Sequence, residues 1–177
     1  MDKKYAELTD KDYKHQSDTL DGENIYFKTA TTSNSPQDFT NLDNLQRLFI
    51  KHCLEDADTL IRKHQSNSSI DNFTPSTLDS IIDQWNQDST TFACSEDYFV
   101  NAIGAAFGHY LVRTYKMKWS FVADEYGSEY ATTIDEIKLT NFPLNSVAKA
   151  IDQKRVGSLQ TISLMTKRNI EQLKENK

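Results

Sequence analysis

Hydrophobic positions from Leu42 onward recur at intervals of three and four: Leu42, Leu45, Leu48, Phe49, His52 or Cys53, Ala57, Leu60 and Ile61. That spacing predicts a long amphipathic helix to about Gln65, opened by Ser35 as cap and Pro36 at the first helical position. The polar run Ser66-Asn67-Ser68-Ser69 ends it. A second helix is expected from the Thr74 cap and Pro75, burying Leu78, Ile81, Ile82 and Trp85, with a loop over residues 86–91. A third starts after Ser95, with Glu96 and Asp97 in the first turn, where the helix dipole favours anions. It carries Phe99, Val100, Ile103, Phe107, Tyr110 and Leu111 among the small residues Ala102, Gly104, Ala105, Ala106 and Gly108. Each mid-helix glycine costs about 1 kcal/mol of helix propensity. Such residues belong where another element approaches closely, so the third helix is expected at the centre of the fold.

After Lys116 the period changes to two. Met117, Trp119 and Phe121 alternate with Lys118, Ser120 and Val122, which reads as a half-buried strand. Asp124-Glu125-Tyr126-Gly127 makes the turn, Gly127 supplying a positive φ. Residues 129–134 return, and Ile137-Lys138-Leu139 reads as a third strand. Pro143, with Asn145 or Ser146 as caps, opens a short helix to about Arg155, and Ser158 to Glu175 forms the last. The resulting class is α+β: three N-terminal helices, a small antiparallel sheet built on a hairpin, then two C-terminal helices. Residues 1–35 lack helical periodicity and read as an irregular N-terminal arm with one extended candidate at Asn24–Lys28; residues 36–177 read as a single α+β domain.

The block of small-residue helix, W-x-x-V-x-D-E-x-G, return strand and F-P-x-x-x-V-x-K resembles the bacterial domain of unknown function numbered 3806 (DUF3806). The matching residues are Gly108, Trp119, Val122, Asp124, Glu125, Gly127, Phe142, Pro143, Val147, Lys149 and Arg155, and the resemblance covers about residues 96–160. This chain has Lys149-Ala150 where the family usually places Lys-Arg, and its basic pair Lys154-Arg155 comes five residues later. The resemblance implies the fold; the family has no established activity.

Composition narrows the function classes. The chain has 177 residues, 37% hydrophobic and 26% charged, suited to one domain with a real core. No apolar run reaches the ~20 residues of a membrane helix. The N-terminal MDKKYAELTDKDYKHQ has no apolar segment behind its lysines, so a cytoplasmic location is expected. Net charge is −6: residues 1–110 hold 18 Asp/Glu against 9 Lys/Arg, and residues 111–177 hold 8 against 11. Such an acidic first part repels a phosphate backbone and attracts a basic partner.

Candidate chemistry is sparse. Cys53 and Cys94 belong to no CxxC pair and read as free thiols. His52 and Asp56, with Glu55, have metal-pair spacing, but a zinc site needs three or four converging ligands. His109 on the third helix could meet Asp124 at the turn as an acid–base pair, or Cys94 as a thiol pair. No phosphate loop, GxSxG or dinucleotide fingerprint is present, and no cofactor is expected. The best binding candidates are the hairpin residues Asp124, Glu125, Tyr126, Glu129 and Tyr130, with a second acidic strip at Asp79 and Asp83. Tyrosines beside carboxylates suit a protein interface. The function these features point to is protein binding without catalysis, of the immunity or antitoxin kind, against a basic effector. The alternative is a small enzyme or ligand-binding protein with a pocket beside the third helix at His109 and Asp124.

Overall fold

The computed structural model describes residues 14–20, 23–29, 37–65, 68–125 and 127–175. They divide into two compact units: residues 1–38 with 123–127, and residues 39–122 with 128–177. In the first unit, β1 (Lys14–Leu20) and β2 (Glu23–Thr29) form an antiparallel ribbon, in register from Lys14 opposite Thr29 to Leu20 opposite Glu23. The extended segment expected at Asn24–Lys28 lies within β2.

The second unit holds the core. The class of the chain is the α+β arrangement expected: helices α1 (Asn44–His64), α2 (Pro75–Gln87) and α3 (Glu96–Tyr115), then strands β4 (Lys118–Asp124), β5 (Gly127–Ile134) and β6 (Leu139–Asn141), then α4 (Pro143–Asp152) and α5 (Ser158–Glu175). One further short strand, β3 (Asp38–Asn41), precedes α1 and gives an antiparallel sheet of order β3-β4-β5-β6. The first helix therefore begins later than Ser35 and Pro36 predict; those two residues lie outside the described ones. Asp43 is the cap. Its carboxylate accepts from Gln46 N at 2.8 Å while Gln46 Oε1 accepts from Asp43 N at 2.9 Å. This reciprocal box satisfies two amides that have no partner inside the helix.

Thr74 and Ser95 cap α2 and α3 as expected, accepting from Thr77 N and Tyr98 N. The intervening stretch is a 3-10 turn at Ser89–Phe92. Along α3 every residue from Ala102 to Gly108 is buried, and the glycines account for it. A Cβ on Gly104 would lie 2.6 Å from Leu144 Cα on α4. A Cβ on Gly108 would run into the Trp119 ring and lie 3.1 Å from Pro143 Cγ. Removing two side chains thus lets α4 and the first sheet hairpin close on α3. Phe73, Phe99, Phe107, Leu78, Ile81, Ile103 and Leu111 fill the space around it, each under 3% exposed.

The sheet departs from the predicted pattern in two places. Ser120 and Val122, expected outside, are each 3% exposed, while Trp119 and Phe121 are half-buried, so the fully covered face of β4 is the opposite of the one expected. Ser120 and Thr133 share a 2.9 Å hydroxyl contact there, which lets two polar side chains be buried. Residues 135–137 form a 3-10 turn, and Lys138 takes φ 52, so the third hairpin strand starts at Leu139. It pairs antiparallel with β5, Ile134 opposite Leu139. Gly127 has the expected positive φ, 139°. At α4 neither Asn145 nor Ser146 caps: the cap position is Phe142, whose carbonyl accepts from Ser146 Oγ at 2.8 Å.

Candidate partner-binding face

The hairpin residues singled out by sequence separate into three groups. Tyr126 lies outside the described residues. Asp124 accepts from Gln37 Nε2 at 3.2 Å, Glu125 is exposed and Glu129 is half-buried. Tyr130 lies half-buried in an aromatic stack: its ring is 5.1 Å from Phe49 of α1, nearly parallel, and 5.3 Å from Phe121 of β4, edge-on. Burial, followed by the nearby Asp43 carboxylate, holds its phenol above the usual range. Tyr130 is therefore neutral at physiological pH, a ring rather than a charge.

Exposed apolar residues lie on the elements beside this stack. On α1, Leu45 is 77% and Leu48 47% exposed, and on the edge strand β3 Phe39 is 49% exposed. Thr40 Oγ1 donates to Phe121 O at 3.3 Å, which ties β3 beside the strand carrying Phe121. The three-and-four spacing places Leu45 and Leu48 in the buried stripe; the structure corrects this. The buried residues of α1 are Ile50, Cys53, Ala57, Leu60 and Ile61. At about 100° per residue they span one side of the helix, and Leu45 and Leu48 project from another. The two stripes overlap only near Phe49. Asp43 and Glu55 are exposed along the same helix, as are Arg47 and Lys51, and Lys51 lies 3.8 Å from Glu55.

Asp79 was expected on an exposed acidic strip with Asp83, and this too is corrected. Asp79 is 6% exposed, and its carboxylate accepts from Leu159 N and Gln160 N, each at 2.9 Å. It caps α5 from α2, across the core, satisfying amides that α5 cannot pair itself. Burial outweighs the two N–H donors and raises its pKa, with Asp83 adding to the rise. Asp83 itself is half-buried.

His109 is half-buried on α3, and its pKa is lowered by burial and then by Arg113, with Asp71 opposing. Arg113 is engaged elsewhere: Nη1 donates to Asp71 O at 2.5 Å and the guanidinium lies 5.6 Å from the Phe73 ring centroid. His109 and Asp124 fall in different compact units. Cys53 is buried and its thiol is pushed up to about 11 by burial; burial also raises Cys94. Neither is set up as a nucleophile, since the thiolate is the attacking form. Among the described residues no three His, Cys, Asp or Glu side chains converge as metal ligands. No helix among them is long and apolar enough to cross a membrane.

Residues 76–160 match the domain of unknown function DUF3806. This stretch is a DUF3806 domain. The match starts at α2, about twenty residues before the quoted motif, and takes in α3, the β4–β6 hairpin strands and α4. Its signature residues have visible duties: Gly108 admits Trp119, Pro143 packs beside both, and Gly127 makes the turn. Helix α1 with Leu45 and Leu48 precedes the DUF3806 stretch, so the candidate face combines a DUF3806 sheet with a helix outside it. No curated protein matches the chain. A crystal structure of a protein from Bacteroides thetaiotaomicron VPI-5482, at 1.50 Å, is similar with TM-score 0.53 and 11% identity, covering 85% of this chain and 69% of that one. That likeness is one of fold.

Proposed function

We propose that the protein is a non-catalytic binding module of the immunity or antitoxin kind, which neutralises a basic effector protein by covering part of it. The observation that carries the reading is the exposure of Phe39, Leu45 and Leu48 on β3 and α1, together with the Phe49–Tyr130–Phe121 stack that joins α1 to the sheet. Single exposed leucines are ordinary, but apolar residues grouped around aromatic rings mark contact surfaces. Tyr130 packs against two rings, so a partner would meet a preformed anchor and lose little side-chain entropy in ordering it. Asp43, Glu55 and the hairpin carboxylate Glu129 supply the negative part of the surroundings. The excess of nine acids over bases in residues 1–110, 18 against 9, acts at longer range and steers a basic partner inward. Asp79 no longer belongs to this surface.

The test is co-purification of the tagged protein from its own cells at low salt, followed by reconstitution with the captured protein. The reading requires a stoichiometric partner that is basic, binds more weakly as salt rises, and is toxic when expressed alone but not with this protein. An acidic partner, or a toxic partner whose effect survives co-expression, overturns it.

A further inference from the structure

We infer that the groove between the C-terminal half of α1 and the start of α3 binds a small organic acid: an apolar body, ring or short alkyl chain, carrying one carboxylate. The groove has a volume of about 450 Å³ and is lined by Leu60, Lys63, Phe92, Cys94, Tyr98 and Thr59 among others. That volume is comparable with small-ligand sites, roughly 300–1,000 Å³, but the groove is open to solvent and covers one side of a ligand only. Its floor is rigid. Leu60 and Phe92 are 5% and 3% exposed. The Phe92 ring is stacked by His64 at 3.9 Å and flanked by Phe99 at 5.1 Å and Trp85 at 5.3 Å. A floor pinned on three sides does not collapse when empty, so an apolar body meets a preformed surface.

The ends of the groove differ in charge, and that difference selects the ligand. Lys63 is exposed at one end, with a long 3.4 Å bond to Thr91 O. An ammonium has three donors, so it can hold a carboxylate while keeping that contact. At the other end Tyr98 is hydrogen-bonded with Asp56, which, after burial, pushes its phenol up to about 12. A ligand carboxylate is repelled there and drawn to Lys63. Exposed Glu96 and Asp97 in the first turn of α3 oppose it in part, so the affinity is modest. The Cys94 thiol on the wall, protonated and slow to react, serves as a reporter.

The experiment titrates the full chain with 4-phenylbutyrate, hexanoate and the neutral 4-phenylbutyramide. It follows amide shifts by NMR and the rate of Cys94 alkylation by iodoacetamide. Expected are saturable shifts confined to residues around Lys63 and Cys94, slower alkylation of Cys94 with either acid, and weaker binding of the amide. Lys63→Gln should weaken the acids by about threefold to tenfold and leave the amide unchanged. Thr59→Trp, which fills the groove from an exposed position, should abolish binding of all three. Absence of saturable binding by both acids at millimolar concentration, shifts elsewhere in the chain, or equal binding of acid and amide overturns the inference. Failure of the groove leaves the α1 face untouched, since Leu45 and Leu48 do not line it.

Discussion

Helix α3 and the first half of α1 both carry apolar residues at helical spacing, yet the protein uses them in opposite ways. In α3 the polypeptide gives up side chains: Gly104 and Gly108 let Leu144, Trp119 and Pro143 come against the helix itself. In α1 it leaves side chains unused, with Leu45 and Leu48 standing in solvent a few residues from the buried Ile50. Both depart from what a helix alone prefers. The first departure is explained inside the molecule by a contact, and the second has no such internal explanation. Where a local rule is broken and the fold supplies no compensation, the compensation is sought in a partner.

The sharpest way to test the α3 side is Gly104→Ala. The added methyl meets backbone on α4 rather than a side chain that can swing away. We expect a net loss of about 2–3 kcal/mol in urea unfolding, overpacking exceeding the ~1 kcal/mol gain in helix propensity. Gly108→Ala should lose less, because the Trp119 ring can tilt. A stabilised Gly104→Ala protein would mean that α3 and α4 are not closely packed.

Next in size is Asp79→Ala, which strands the buried amide of Leu159 and the part-buried amide of Gln160 and should lower stability by about 1–3 kcal/mol. The pH dependence has a definite sign. The folded pKa of Asp79 lies above the unfolded value, so its contribution is full below about pH 4 and is lost as pH rises through the folded pKa. Asp79→Asn removes that dependence. The urea midpoint of the native protein should therefore fall relative to Asp79→Asn as pH rises across this window; a constant difference would contradict the shift. Arg113→Ala, which releases the carbonyls of Ile70 and Asp71, should lose about 1 kcal/mol and speed amide exchange over residues 69–74.

The smallest effect on stability belongs to the other side of the comparison. Leu45→Glu and Leu48→Glu alter exposed positions, and each should shift stability by no more than about 0.5 kcal/mol. A large loss would show that these leucines support the fold, and the contrast with α3 would disappear.

Much of this architecture was legible in the sequence, because it rests on local chemistry. Thr74-Pro75 and Ser95 announced two helix starts. The small residues of α3 announced a close-packed centre, Pro143 announced another helix start, and a turn glycine announced the hairpin. What escaped has a common cause. Asp79 caps a helix whose amides lie eighty residues downstream, and spacing along the chain cannot report that contact. Ser35-Pro36 reads as a cap followed by a first-turn proline, yet the Asp43–Gln46 box takes the role, because residues 39–41 pair with the sheet. Leu45 and Leu48 satisfy the three-and-four spacing as well as buried residues do. Only their angular offset from the stripe Ile50–Ile61 hinted otherwise. For the candidate face, Tyr130 was anticipated as a contact residue, but its anchoring by Phe49 and Phe121 was not.

The central claim is that Leu45 and Leu48 are exposed because a basic partner covers them. Its most direct test is calorimetric titration of the co-purified partner with the native protein and with the double variant Leu45→Glu, Leu48→Glu, after unfolding curves confirm equal stability. The account predicts at least a hundredfold loss of affinity, about 2.7 kcal/mol or more, as expected when two apolar anchors of an interface become charges. Unchanged affinity in the double variant, or a face covered by a second copy of this chain, seen as a dimer that the variant dissolves, would contradict it.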